Sequence, residues 1–519
     1  MEPEHSALLT VLPPQDIMVV VVSAVVVYLV ARKYLSTRRP PGPSDPFFIG
    51  NIFRIPSKES WRWFERLAQK YGPIAYLRLM GEHLVVLSDP NIAEELLGTR
   101  SSNYSSRKYY PYAGKYRSGN KRMLLLPYNE EFKKQRAAMR LLFIGDQPRF
   151  NRKRQFQQSK KLLFELLQSD INYMMALKRY SSGIILGVCY GMNLDESSRE
   201  FHNVLENNES MGSDLKPGAR IADVIPWLDI LPDWLSPWRL DACQKHETEL
   251  KLFNRWAEIA RHGGENREKS FMYTLFGQQE KLDVDDKSIA YIGGTAIEAG
   301  TNTTSCLLHC FLLACVSNPD VVARAQEELD RVLLGNPPTW DDYYQLPYIF
   351  AVVKETLRWC PVTPLAFPHM TESCDNYHGH DIPAGSLVIA SIWNMHRNPE
   401  YFPNPSMYHP ERFYSPNSLG MLRKDSSLTD GIWAFGFGKR ACPGKQLALD
   451  SIWLAVASIL WAFDIRLGGT ILPDNVDDVL TWRDNVNIEP RSLDIMFLPR
   501  KILVKEKILR DWQEVGETA

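Results

Sequence analysis

The chain has 519 residues, with 60 basic and 61 acidic side chains and a formal net charge of −1. That balance gives no general attraction to nucleic acid. Its length fits two to four domains or one large enzyme, and it holds neither a low-complexity tract nor an internal repeat. Eight cysteines stand singly, at 189, 243, 306, 310, 315, 360, 374 and 442. With no C-x-x-C pair, a zinc site or a disulfide framework is not expected, and a reducing compartment fits better.

Ile17 to Ala31 is a continuous apolar run rich in valine, a little short for a membrane span, which Tyr34 and Leu35 extend at the interface. Arg32, Lys33, Arg38 and Arg39 follow it, and positive charge on that side places the next domain in the cytoplasm. Acidic Glu2 and Glu4 precede the run where a cleaved signal peptide carries basic residues, so the segment reads as a single-pass anchor. The stiff Pro40-Pro41-Gly42-Pro43 run cannot continue a helix. The expected division is therefore 1–39 as anchor with basic flank and 40–519 as one globular domain.

Trp61 to Tyr71 has helical periodicity and closes on Gly72. Ile74–Leu79 and His83–Leu87 read as strands around a Met80-Gly81 turn. Asp89-Pro90 opens a helix running through Leu97. Residues 101–127 are polar, aromatic and irregular, including Tyr109, Tyr110, Tyr112 and Tyr116. Tyr128 to Phe143 reads as a helix. Residues 150–280 are mostly helical, broken at Pro217, Pro226, Pro232 and Pro237. Trp227, Leu228, Ile230, Leu231, Trp234 and Trp238 form an apolar patch, expected mainly as core with some membrane contact.

Ser288 to Ser317 contains no proline and reads as one long helix around Glu298-Ala299-Gly300-Thr301-Asn302-Thr303-Thr304. Cys306, His309 and Cys310 lie within it and read as small buried side chains, since no second cluster completes a metal site. Leu346-Pro347-Tyr348 opens another helix, with Glu355 and Arg358 three apart on one face. Pro383-Ala384-Gly385 and Leu387–Ala390 suggest a hairpin. Val486-Asn487-Ile488, then Ser492 to Leu498, read as strand, turn, strand.

Everything is organised around Ala434 to Gly444, AFGFGKRACPG. Gly436 and Gly438 permit a tight loop with unusual backbone angles, Cys442 follows it, and Pro443 fits the first position of an apolar helix. A sulfur at a helix N-terminus favours the thiolate. Phe435, Gly436, Gly438, Arg440, Cys442 and Gly444 match every fixed position of F-G-x-G-x-R-x-C-x-G. In this the chain resembles the cytochrome P-450 (haem-thiolate) monooxygenases. The resemblance runs from about Pro40 to Arg500, with five ordered motifs.

That resemblance implies a mainly α fold with small β-sheets, and one haem b with Cys442 as axial iron ligand and Phe435 packed beneath it. It implies that 101–127 covers the substrate pocket, where the tyrosines suit a planar guest. Phe132 and Arg136 stand where the family has W-x-x-x-R; the tryptophan is absent, and Arg136, His369 and Arg440 are the expected propionate partners. Val362, Leu365, Ala366 and Phe367 are expected pocket walls. Ala299 and Gly300 admit a flat ring and dioxygen, and Thr303 falls on the proton-relay threonine. Asn302 replaces the usual acid, and Glu298, one turn earlier, is a candidate to act in its place. Glu355 and Arg358, joined by Arg412 of Pro410-Glu411-Arg412-Phe413, are expected to be structural.

The implied partners are a small hydrophobic substrate and an NADPH-dependent flavoprotein reductase, docking near Lys439, Lys445, Lys133 and Lys134. The anchor and proline-rich hinge resemble fungal microsomal members of secondary metabolism, which implies the endoplasmic reticulum membrane with the catalytic domain cytoplasmic. The expected reaction is hydroxylation or another oxidation. A haem-thiolate isomerase, dehydratase or oxidative-coupling enzyme without oxygen insertion is the alternative, and a non-catalytic haem carrier is a third class.

Overall fold

The architecture comes from a computed structural model that describes residues 18–19, 21–25, 28, 38–44, 50–56, 59–168, 172–193, 198–216, 218–262, 269–415, 421–423, 427–469, 471–473, 475–482 and 486–518. The anchor expected at Ile17–Ala31, with Arg32 and Lys33, lies largely outside these. Met18, Val19, Val21, Val22 and Val25 are helical and exposed.

Helix α1 (Ser60–Tyr71) precedes β1 (Ile74–Leu79) and β2 (Glu82–Leu87), which pair antiparallel with Ile74 opposite Leu87. Asp89 starts the following turn by accepting the N–H groups of Asn91 (2.9 Å) and Ile92 (3.1 Å). The main helices then follow: α2 (Glu130–Met139), α3 (Gln147–Leu166), α4 (Tyr173–Tyr190), α5 (Ser198–Leu215), α6 (Pro237–Arg261), α7 (Asp286–Ser317), α8 (Pro319–Leu333) and α9 (Pro347–Trp359). Strands β3 (His369–Met370) and β4 (Leu387–Ala390) complete a four-stranded sheet in the order β1-β2-β4-β3, with β2 and β4 parallel. Helix α10 (Lys445–Ala462) leads into β5 (Phe463–Leu467), which pairs antiparallel with β6 (Ile495–Pro499).

Helix α7 is the axle. Among the described residues it alone is long and apolar enough to cross a membrane, but it is mostly buried inside the protein. It packs against α4, α6 and α10. A helix apolar on all sides belongs in a core.

Several expectations change. Leu387–Ala390 forms no hairpin across Pro383-Ala384-Gly385; it joins β2 and β3, and the local hairpin is Asp375–Tyr377 with His380–Ile382. Residues 101–127, polar and irregular in sequence, pack largely into the interior. Tyr104, Tyr112, Arg117 and Arg122 are almost fully buried, because Asp214 and Glu249 of α5 and α6 supply counter-charges to Arg117 and Arg122. Trp227, Ile230 and Trp234 are 65, 84 and 79 % exposed, so their patch is surface rather than core. Cys310 and Cys360, expected unpaired, form a disulfide between α7 and the end of α9, since the two elements pack side by side.

Candidate active site

The glycine-rich loop takes its shape from two residues in the left-handed region, Gly436 (φ 71°) and Gly438 (φ 54°). They differ in what surrounds them. A Cβ on Gly438 would lie 2.1 Å from the carbonyl oxygen of Leu97, whereas one on Gly436 would meet nothing. Hydrogen bonds from Gly436 N to Trp433 O (3.0 Å) and from Cys442 N to Phe435 O (2.8 Å) close the loop. The apolar helix starts at Lys445, not at Pro443, with Gly444 as its N-cap. Cys442 is therefore just outside the helix.

Its sulfur feels opposing forces. Burial pushes the thiol above its ordinary value; the Gly444 N–H, Arg136 and Lys445 pull it down without overcoming burial. The accessible surface of Cys442 faces a cavity rather than bulk solvent. The helix-terminus argument for a free thiolate thus loses to desolvation in this setting.

That cavity has a volume of about 430 Å³. It brings together Cys442, Phe435, Gly436, Arg440, Arg136 and His369 with Glu298, Ala299, Gly300, Asn302 and Thr303 of α7. Val362, Ala366, Phe367, Val486 and Asn487 line it too, while Gly438, Leu365, Glu355, Arg358 and Arg412 do not. Asn487 is held there by the Thr363 hydroxyl, which donates to its Oδ1 at 2.9 Å.

One wall carries an arginine cluster. Arg136 donates to Ala441 O (2.5 Å); Arg440 donates to the carbonyls of Ser105 (2.7 Å), Met123 (3.3 Å) and Leu126 (2.6 Å). A third member, Arg107, donates to Leu124 O (3.2 Å), Phe367 O (3.1 Å) and Pro368 O (2.5 Å). Among the described residues no carboxylate pairs with any of the three. Burial, then Arg107 and Arg136, pushes Arg440 down to about 8; burial pushes Arg107 down to about 10. Such a group of desolvated cations calls for an anion. His369 shares the site and donates from Nδ1 to Tyr104 O (2.7 Å). Burial, Arg107 and Arg440 push it down to about 3, so it stands here as a neutral imidazole rather than a basic one. A carboxylate set among these groups would reverse that field.

Phe132, where an indole was expected, is buried, and the Arg440 guanidinium sits 3.7 Å above its ring centre. Lys133, next to it, is exposed and paired with Glu130 (2.7 Å).

On α7, the Thr303 hydroxyl donates to Ala299 O at 2.7 Å, leaving its lone pairs as acceptors. Glu298 is already engaged, by Arg122 and by Asn207 Nδ2 (2.7 Å), and Arg122 in turn meets Glu249 at 2.7 Å. Gly300 borders the cavity, and a Cβ there would lie 2.5 Å from Ile185 Cδ1 of α4. Ile185 itself lines the cavity, so a side chain at 300 would crowd that wall.

Away from the cavity, Arg358 grips Glu355 with two bonds of 2.7 Å, and Arg412 adds a third at 3.1 Å. Glu355 and Arg358 are fully buried. Arg358 also donates to the carbonyls of His396, Pro405 and Met407.

The family model for cytochrome P450 matches residues 40–486. The chain belongs to the cytochrome P450 family. Relatives bear this out. Cytochrome P450 monooxygenase 231 of Postia placenta is 33 % identical, with 92 % of this chain and 94 % of that protein covered. Monooxygenase 69 of the same fungus is 32 % identical (93 and 94 % covered), and cytochrome P450 monooxygenase astF of Aspergillus oryzae 30 % (92 and 89 % covered). The chain is a P450 monooxygenase whose cofactor is haem iron, in the b form standard for the family. The cavity fits that group: a cysteine sulfur and three guanidiniums without a counter-charge border one space.

Sequence reasoning missed Arg107, Arg122 and the α5 residues Asn208 and Met211 that border the cavity. Arg107 lies between Ser106 and Lys108 in a polar stretch, and no local pattern separates a buried arginine there from an exposed one. The expected tyrosines are elsewhere: Tyr109 donates to Asp229, Tyr112 to Asp241, and Tyr116 packs edge-on against Trp238.

Proposed function

We propose that Cys442 ligates the haem iron, that Arg107, Arg136 and Arg440 with His369 hold its propionates, and that the enzyme oxidises a small hydrophobic organic substrate. The observation that carries this reading is the convergence of Cys442, the unpaired arginines and the Thr303 hydroxyl on one cavity. Haem iron, when bound, supplies the oxidation of a carbon–hydrogen bond at the expense of dioxygen. The chain's residues do the rest. The arginines fix the cofactor's carboxylates with charge-assisted hydrogen bonds. Met211, Ile292, Ala296 and Val362 offer apolar walls to the substrate. Thr303 Oγ holds a water through its lone pairs, and Asn302 orients that water through its amide without carrying a proton. Glu298 can relay only after releasing Arg122 or Asn207.

Electrons come, on this reading, from an NADPH-dependent flavoprotein reductase meeting the basic side chains Lys439 and Lys445. Residues 1–39 anchor the protein in the endoplasmic reticulum membrane, with residues 40–519 as a single cytoplasmic catalytic domain. The exposed Trp227, Ile230 and Trp234 give that domain a membrane-facing patch. Fungal relatives support a role in secondary metabolism. The test is a carbonyl-difference spectrum of the haem-loaded protein: wild type shows the long-wavelength band of thiolate-ligated ferrous haem, and Cys442→Ala loses it. A normal band in Cys442→Ala overturns the assignment. Product formation without NADPH and reductase would favour the isomerase reading instead. Metabolite profiling of a strain lacking the protein identifies the substrate.

A further inference from the structure

The ion pair at Glu355 and the loop that presents Cys442 are separate in sequence, and one residue joins them, by its carbonyl to the first and its ring to the second. His396 lies in the last turn of the short helix Ile392–Arg397 and is fully buried. Its carbonyl oxygen accepts from Arg358 Nη1 at 3.0 Å. Its ring Nε2 accepts the backbone N–H of Trp433 at 3.0 Å. Trp433 immediately precedes the cysteine loop, and its own carbonyl accepts from Gly436 N at 3.0 Å.

The ring is clamped as well as bonded. It lies 5.7 Å from the Trp433 indole and edge-on to Phe402 at 6.2 Å. Phe402 packs on the same indole at 6.1 Å, with the Arg358 guanidinium 5.4 Å from its ring centre. A ring accepting at Nε2 carries its proton on Nδ1. That nitrogen is buried and lies toward the main chain of Arg358, which favours its proton there. Nε2 is thereby left as the ring's acceptor for Trp433.

We propose that His396 is a positioning residue: through Nε2 it ties the start of the cysteine loop to the Glu355–Arg358 ion pair, and so holds Cys442 in ligating position. This rests on the reading of Cys442 as the iron ligand. Without the acceptor, the half-buried Trp433 N–H loses the partner it has here, and the turn built on Trp433 O loosens with it.

The experiment compares two side chains of similar length on the full haem-loaded protein. His396→Gln supplies a carbonyl oxygen where Nε2 was; His396→Met fills the space without a comparable acceptor. The readout is the rate at which the long-wavelength carbonyl band converts to the short-wavelength band of haem that has lost its thiolate, in mild urea. His396→Met should convert about tenfold faster than wild type, and His396→Gln within about twofold of it. Equal rates in wild type and His396→Met overturn the proposal, as does a His396→Gln variant no slower than His396→Met, because bulk alone would then explain the site. If His396→Met fails to fold while His396→Gln folds with the normal band, the acceptor is required and the proposal stands. A wild-type protein with no long-wavelength band would sink the Cys442 reading and this proposal with it; a normal wild-type band with unchanged rates sinks this one alone.

Discussion

The guanidinium of Arg440 lies 3.7 Å above the ring centre of Phe132. Arg440 belongs to the cysteine loop and Phe132 to α2, so one contact joins the segments that carry Cys442 and Arg136. The ring offers a π face to a cation with no carboxylate partner among the described residues, but no N–H to an incoming propionate.

Haem retention should follow from this. Arg136→Ala, Arg440→Ala and Arg107→Ala each remove a donor for a buried carboxylate, and each should weaken haem retention by roughly 10-fold or more, as charge-assisted bonds of about 2 kcal/mol imply. Phe132→Leu should weaken it less, since it removes only the stacking. Transfer of haem to apomyoglobin measures the loss. Unchanged transfer in the Arg107, Arg136, Arg440 triple alanine variant would refute the propionate reading.

The two loop glycines should behave differently. Gly436→Ala meets no neighbour and incurs only the left-handed backbone, about 1–2 kcal/mol. Gly438→Ala adds a 2.1 Å clash with the Leu97 carbonyl, which is backbone and cannot swing aside. Gly438→Ala should lose the haem-loaded state altogether and Gly436→Ala only part of it, measured as holoprotein yield. Equal yields would show that φ alone governs both positions.

The contrast marks what the sequence could convey. The motif announced a tight loop at Gly436 and Gly438, since both needs are local to the chain. It could not announce that Leu97, far away in sequence, crosses behind one of them. The long helix, the first strand pair and the Glu355–Arg358–Arg412 cluster were legible for the same reason: periodicity and short spacing record local needs. Arg107, Arg122 and the pairing of Leu387–Ala390 with β2 were not, because their reasons lie on other segments. Glu298 shows the limit from the other side. Its spacing on the helix suggested a free acid, and Arg122, 176 residues earlier, had already claimed it.

Proton delivery is tested at Thr303. Its hydroxyl gives its proton to Ala299 O and keeps its lone pairs for a water. Thr303→Ala should uncouple the enzyme, with NADPH still consumed, peroxide rising and product per NADPH falling severalfold. Asn302→Asp should keep or improve coupling by adding a group that can carry a proton. Unchanged coupling in Thr303→Ala would move the path to Glu298; then Arg122→Leu, which frees that carboxylate at the expense of Glu249, becomes the informative variant.

The last prediction concerns acid. Burial and neighbouring arginines hold His369 and His396 at about 3, against an ordinary 6.5. A base with a lowered folded pKa binds more protons when unfolded, so its contribution is intact above pH 6.5 and is lost as pH falls toward 3. Each such histidine removes about 1.4 kcal/mol per pH unit within that window, and two together roughly 3 kcal/mol per unit, a large share of the 5–15 kcal/mol that holds a protein folded. The urea midpoint of the haem-free protein should therefore fall steeply from pH 6 to 5. His396→Gln, which keeps the acceptor for Trp433 but does not titrate, should remove one histidine's share of the slope, with His83, held at about 4 by burial and Arg39, among those that keep theirs. Haem should act on the share of His369: a propionate beside it offsets Arg107 and Arg440, raises that histidine's pKa and flattens its part, while His396 lies outside the cavity and keeps its own. A slope identical in wild type and His396→Gln, with and without haem, would show that neither imidazole is held neutral in the fold.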